Sequence, residues 1–224
     1  LGADFIATGH YCGISHEGGV HRLLKAKDMG KDQTYFLNQL TQEQLSDVLF
    51  PLADLTKAQV RAIAQENGLA TAGKKDSTGI CFIGERNFRA FLREYLPAQP
   101  GAIETLSGER VGEHIGLMYY TLGQRRGLDL GGRKGEDGRW FVVGKDLARN
   151  VLVVSHGDEG PLYTNGCTVE EVNFIPFPPQ RDEFACRAKL RYRQAEQGVR
   201  VLRTGERSLT LLFDEPQRAV TPGQ

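Results

Sequence analysis

The chain has 224 residues, 40% of them hydrophobic, and its 28 Lys+Arg balance 28 Asp+Glu for a formal net charge of zero. That composition is globular; it excludes a disordered or fibrous chain and a globally basic nucleic-acid coat protein, while leaving room for a local basic patch. No apolar run approaches the ~20 residues that span a bilayer, and no signal-peptide pattern opens the sequence.

The sequence starts at Leu1 and ends on Val220-Thr-Pro-Gly-Gln224, and it is read as an internal fragment of a longer protein. Phe5-Ile-Ala-Thr8 predicts a buried strand of a parallel sheet, closed by Gly9-His10 at the carboxyl end, where open α/β sheets bind ligands. Thr41 with Gln44 forms a capping-box pattern, and Leu45, Val48 and Leu49 share a face, so a helix is predicted over 41–50. Thr56 with Gln59 opens a second helix with Val60, Ile63 and Ala64 as its inner stripe and Gly68 at the left-handed C′ position. A third helix is predicted over 86–95, where Phe88, Phe91, Leu92 and Tyr95 recur at helical spacing before Pro97.

Beyond Pro97, strands are predicted at Trp140–Val143, Asn150–Ser155, Thr168–Val172, Phe184–Arg193, Gly198–Arg203 and Ser208–Phe213. This spacing suits compact β domains or a small barrel. Domain boundaries are placed near 97 and 162, giving 1–97, 98–162 and 163–224.

Cysteines stand at 12, 81, 167 and 186, with no C-x-x-C pair. A chain of this length needs no disulfide staples, so a reducing, cytoplasmic location is expected. Cys81 lies in a glycine-bracketed loop, Lys74-Lys-Asp-Ser-Thr-Gly-Ile-Cys-Phe-Ile-Gly84, and the upstream lysines favour thiolate. From this stretch alone a buried structural cysteine between Ile80 and Phe82 is the favoured reading. Cys12 sits in a polar strand pattern, and Cys167 and Cys186 are expected in β cores.

Strand alternation over Phe184–Arg193 places Arg187, Lys189, Arg191 and Arg193 on one face and Tyr192 on the other. A polyanion would relieve that repulsion; acids on neighbouring strands, such as Glu206 or Glu170, would do so equally. Gly30-Lys-Asp-Gln-Thr-Tyr-Phe36 carries groups able to meet phosphate, ribose and base edges, although a plain polar loop is the favoured reading. Leu122-Gly-Gln-Arg-Arg-Gly-Leu128 reads equally as a phosphate-binding turn or a surface β-turn. His10, taken alone, reads as a structural histidine.

Taken together, these stretches resemble one family, the tRNA-specific 2-thiouridylases. The resemblance rests on Ala7-Thr-Gly-His-Tyr11, Lys31-Asp-Gln-Thr-Tyr-Phe36, Asp76-Ser-Thr-Gly-Ile-Cys-Phe-Ile-Gly-Glu85 and Tyr95-Leu-Pro-Ala-Gln-Pro-Gly101. It continues through Gly116-Leu-Met-Tyr-Tyr-Thr-Leu-Gly-Gln-Arg125, Arg191-Tyr-Arg193 and Val220-Thr-Pro-Gly-Gln224, in the same order nearly end to end.

The resemblance implies an α/β plus β architecture: part of a Rossmann-like, adenine-nucleotide α-hydrolase-like domain, a small central domain and a C-terminal β-barrel. It implies an enzyme that adenylates O2 of a wobble uridine with ATP (as Mg-ATP, with no protein-bound metal) and then transfers sulfur from a cysteine persulfide. Cys81 matches the persulfide cysteine, and Gly9 matches an ATP contact. His10, Lys31, Asp32, Gln33, Arg191, Tyr192 and Gln224 match tRNA contacts. A tRNA contact at Tyr192 conflicts with its inward strand facing, so a bulge or strand end is expected there. The implied partners are tRNAs accepting Lys, Glu or Gln and a sulfur-relay donor protein, with no membrane.

The family's Ser-Gly-Gly-x-Asp-Ser phosphate loop is absent, as is the second catalytic cysteine, which can form a disulfide with the Cys81 position. The 224 residues alone are therefore expected to be inactive. Two alternatives stand beside this reading: a non-catalytic tRNA-binding module, and an ATP-dependent ligase acting on a small amide.

Overall fold

The computed structural model describes residues 2–74, 91, 94–131 and 137–223. Cys81, Gln224 and most of the helix expected over 86–95 lie outside the described residues; of that helix Phe91, Glu94 and Tyr95 are described, and all three are helical. The chain divides into two units, one combining 1–76 with 168–211, the other combining 77–167 with 212–224.

In the first unit, β1 (Ile6–Ala7) pairs parallel with β4 (Val48–Leu49), Ile6 opposite Val48. The pairing is that of a parallel sheet, but the expected burial is not met: Ile6 is 69% exposed, and Phe5 and Leu49 are exposed too. The reason is geometric. The pair is a two-stranded sheet among the described residues, and of its four residues only Val48 is partly buried.

Strands β2 (Gly13–Glu17) and β3 (Val20–Leu24) form a hairpin whose two-residue turn, Gly18-Gly19, has φ of 56° and 76°. Both turn positions need positive φ, which glycine supplies without a Cβ clash. The side chain of Gln42 fastens the hairpin, accepting from His21 N–H at 2.9 Å and donating to His21 C=O at 2.7 Å.

Both capping boxes form. Thr41 opens α1 (Gln42–Ser46) and Thr56 opens α2 (Lys57–Glu66), each reciprocally bonded to the glutamine three residues on. Helix α1 is shorter than predicted: it buries Leu45 but ends at Ser46, and Val48 and Leu49 leave the helix to pair with β1. Helix α2 ends as expected, with Gly68 at φ 62°, Gly68 N–H on Gln65 C=O and Leu69 N–H on Ala64 C=O. Its stripe is only partly covered, and Ile63 stays 45% exposed. Thr56→Ala removes the acceptor for Gln59 N–H and is expected to lower stability by about 1 kcal/mol. The check is the urea midpoint; an unchanged midpoint would mean that α2 frays independently of the rest.

The second unit holds a sheet of order β6-β5-β8-β7: β5 (Gly101–Thr105), β6 (Arg110–His114), β7 (Trp140–Asp146) and β8 (Val151–His156). Strand β5 runs parallel to β8, and the other pairs are antiparallel. Ile103, Val142, Leu152 and Val154 are fully buried with Trp140, Tyr119, Tyr120 and Leu128. A buried histidine adds polar bonds to this unit: His114 Nδ1 accepts from Gly116 N–H at 3.0 Å, which leaves Nε2 as the donor to Asn150 C=O, also at 3.0 Å.

Strands β9 (Tyr163–Val169), β10 (Glu183–Ala188), β11 (Gln197–Arg203) and β12 (Leu209–Arg218) make a four-stranded sheet of order β10-β11-β12-β9. The expected barrel is not closed by the described residues, since four strands in this order leave β10 and β9 as edges. Cys186, expected in a core, is instead exposed on the edge strand β10, whereas Cys167 is half-buried.

Candidate nucleic-acid interface

Three short segments of the first unit meet. The first is the loop Thr8–Cys12 at the carboxyl end of β1. His10 Nδ1 bonds Thr8 Oγ1 at 2.7 Å. Gly9 is exposed, and a Cβ there would meet only Leu52 Cδ1, at 3.9 Å. No contact among the described residues requires glycine at this point, and its exposed backbone is open to close approach by a ligand.

The second segment is Lys31–Gln33, which leads into a 3-10 turn, Thr34–Leu37. Gln33 stitches it to the first segment: its N–H donates to Tyr11 C=O at 2.8 Å, and its Oε1 accepts from Tyr11 N–H at 2.9 Å. The Tyr11 ring is buried, with Lys57 Nζ 5.7 Å from its centroid, and its hydroxyl has no partner among the described residues.

Asp32 is 2% exposed, and its carboxylate accepts from Ala26 N–H (2.8 Å), Thr34 Oγ1 (2.5 Å) and Thr34 N–H (3.3 Å). That carboxylate shapes the loop rather than facing outward. Together with burial, which is the larger cause, its negative charge pushes the Cys12 thiol up to about 12. Cys12 therefore stays a thiol at neutral pH and is not a nucleophile. Burial also raises the Cys167 thiol.

The third segment is the turn after β10. The predicted strand Phe184–Arg193 ends early, at Ala188. Residues 190–194 bend and turn, closed by Gln194 N–H on Arg191 C=O at 3.0 Å. The four-residue basic stripe on one strand face is therefore corrected: only Arg187 lies on the strand, and Lys189, Arg191 and Arg193 follow its end. The end is where Tyr192 required it. Its ring packs 4.5 Å from Phe36 and 6.2 Å from Tyr35, and a ring of that size gains more by this burial than by continuing the ladder.

Glu196 fixes the base of the turn. Lys25 Nζ donates to both its oxygens, at 2.9 and 3.1 Å, and the Arg187 guanidinium lies 3.5 Å away. The acid opposite the basic residues is thus Glu196, not Glu206 or Glu170, and the Lys25 bond is the main cause that holds its carboxyl below the usual range. Asn173 adds a further tie, donating to Asn38 C=O at 2.8 Å and Leu40 C=O at 3.0 Å.

His10, Lys31, Gln33, Arg191 and Tyr192 are thereby held in one unit, with Asp32 beneath them as a support. The reading by sequence missed Phe36, 57% exposed beside Tyr192, although it ends the quoted stretch Lys31–Phe36; an aromatic pair directly after a polar triplet was the available signal. Among the described residues no group of three or more His, Cys, Asp or Glu could hold a metal ion. No described helix is long and apolar enough to cross a membrane.

A parallel strand pair ending in an exposed glycine, in the same unit as a surface of cationic and aromatic side chains, is the arrangement of an α/β domain. Residues 1–85 match the family described as tRNA methyl transferase HUP domain, 89–156 the tRNA methyl transferase PRC-barrel domain, and 164–224 the aminomethyltransferase beta-barrel domain. The whole chain aligns with proteins named tRNA-specific 2-thiouridylase MnmA, at 56% identity in Shouchella clausii, 57% in Bacillus licheniformis and 54% in Alkaliphilus oremlandii. It spans 61%, 60% and 62% of those relatives respectively. The chain belongs to the tRNA-specific 2-thiouridylase family.

Proposed function

We propose that the longer protein to which this sequence belongs is a tRNA-uridine 2-sulfurtransferase. The observation that carries the reading is the convergence of Gly9-His10, Lys31–Gln33 and Arg191-Tyr192 in one unit, although they are far apart in sequence. Lys31 and Arg191 would meet tRNA phosphates, Gln33 and His10 the nucleotide edges, and Tyr192 with Phe36 a base face. Gln224 is assigned a further tRNA contact. Asp32 serves these contacts by shaping the loop. For its organisation we assign domains to 1–97, 98–162 and 163–224.

Gly9 fits an ATP contact because its backbone is open at the carboxyl end of β1. ATP, as Mg-ATP, supplies the activating adenylyl group: O2 of the wobble uridine displaces pyrophosphate, and C2 gains AMP as a leaving group. The outer sulfur of a persulfide on Cys81, loaded by a sulfur-relay donor, then bonds C2 while AMP departs. A second thiol breaks the S–S bond, leaving 2-thiouridine and a disulfide on Cys81. The substrates assigned are tRNAs accepting Lys, Glu or Gln. We attribute turnover to a protein of the relatives' length, and tRNA binding without turnover to these 224 residues.

The test is nucleoside mass spectrometry after reaction of the full-length protein with ATP, a persulfide donor and tRNA. With a thiol reductant added to reopen the disulfide after each cycle, wild type is expected to form 2-thiouridine over many turnovers, and Cys81→Ser to form none. Undiminished turnover by Cys81→Ser would overturn the role given to that residue; failure of the wild type to make 2-thiouridine would overturn the reading as a whole.

A further inference from the structure

The turn Leu122–Leu128 is not used by the interface above, and its two arginines are held out by their own loop. Gly123 N–H donates to Val142 C=O at 2.8 Å and Val142 N–H to Gln124 C=O at 3.0 Å, fastening the turn to β7. The Gln124 side chain accepts from Thr121 N–H and donates to Arg126 C=O, setting the path of the backbone through both arginines. Arg125 and Arg126 are exposed and line a cavity of about 500 Å3 together with Arg139, Leu128, Leu130 and Trp140. Among the described residues the one carboxylate in its lining is that of Asp129. Trp140 forms a fixed wall, its indole N–H donating to Gly131 C=O at 2.8 Å.

The described arginines of this unit fall into two sets. Arg110 pairs with Glu113, Arg149 with Glu104 and Asp146, and Arg218 with Glu159. Arg125, Arg126 and Arg139 pair with no carboxylate among the described residues, and all three border the same cavity. Three guanidinium groups without a carboxylate partner among the described residues, set around one concavity, repel each other, and planar guanidinium forks bind anionic oxygens in pairs.

We propose that this concavity binds phosphate groups of an RNA backbone, a second contact region for the tRNA of the reading above, on which this proposal rests. A polyanion is favoured over a single small anion because two of the three guanidinium groups are exposed on consecutive residues, whose side chains serve successive phosphates better than one enclosed ion.

The experiment measures tRNA binding by the 224-residue chain across a salt series, by fluorescence anisotropy. Arg125→Ala/Arg126→Ala is expected to make the slope of log affinity against log salt shallower by about 1.5 to 2, with affinity at low salt down on the order of tenfold. Arg125→Lys/Arg126→Lys should restore most of the slope, which separates charge from folding. Arg110→Ala/Arg149→Ala, removing paired arginines, should leave it unchanged. An unaltered slope in the Arg125/Arg126 variant, while Arg191→Ala weakens binding, would overturn this proposal and leave the thiouridylase reading standing. Saturable binding of inorganic phosphate that is lost in the variant, with tRNA binding intact, would overturn the RNA backbone in favour of a free anion. A wild-type chain without salt-dependent tRNA binding would overturn both.

Discussion

Gly101→Ala is expected to lower stability by about 3 kcal/mol or more, the sum of overpacking and a lost hydrogen bond to a buried group. A Cβ at this position would stand 2.2 Å from Asn150 O, 2.7 Å from His114 Nε2 and 2.8 Å from Asn150 Nδ2. The nearest obstacle is backbone, which cannot rotate away. Moving the Asn150 carbonyl breaks its bond from His114 Nε2, and His114 is 1% exposed, so the released N–H has no water to turn to. The same shift strains the bonds from Asn150 Nδ2 to Gln99 C=O and Pro100 C=O, in a residue already held at φ 53°. Trp140, the chain's one tryptophan, lies in the core of this unit and reports the transition directly. For a chain of this size the midpoint should fall by roughly 6–12 °C, at about 2–4 °C per kcal/mol. A midpoint within a degree of wild type would overturn the role given to Gly101.

Asp32→Ala is expected to lower stability by about 2–4 kcal/mol and to weaken tRNA binding as a consequence. The substitution leaves Ala26 N–H, itself in a 3% exposed residue, without an acceptor, and frees Thr34 at the head of the Thr34–Leu37 turn. Asp32→Asn should rescue little. One of its two amide positions must present hydrogens to groups that are themselves donors. Urea denaturation and tRNA affinity, measured on the same variants, separate two roles. A supporting carboxylate loses both together; one that touches RNA loses affinity with stability intact.

Much of the fold was legible because its signals are local. The two capping boxes, Gly68 at the end of α2 and the strands near 140, 151 and 198 follow from side chains reaching their own backbone or from short β-branched runs. The end of α1 was not legible, because Leu45, Val48 and Leu49 sit at helical spacing while the last two pair with β1, over forty residues upstream. The Gly18-Gly19 hairpin could have been read from its glycines. In the candidate interface the residue types were visible but their orientation was not. The alternation of Arg191, Tyr192 and Arg193 suits a strand as well as a turn, and only the distant Phe36 ring decides between them. Likewise nothing in Lys31-Asp-Gln33 marks the middle residue as the one that points inward, since its partner Ala26 N–H is an ordinary backbone group.

The tie between Lys25 and Glu196 joins residues 171 positions apart. A ribosome adding about 5–20 residues per second takes roughly 10–30 seconds to cover that interval. For most of it the loop at 31–33 has been made but the turn that completes its surface has not. Nascent chains stalled short of Tyr192 thus carry the Tyr35 and Phe36 rings without the ring that packs against them. An unfinished polypeptide of this kind holds the 31–33 loop and the Phe36 ring but lacks the Tyr192 ring that packs on it and the Glu196 carboxylate that Lys25 bonds.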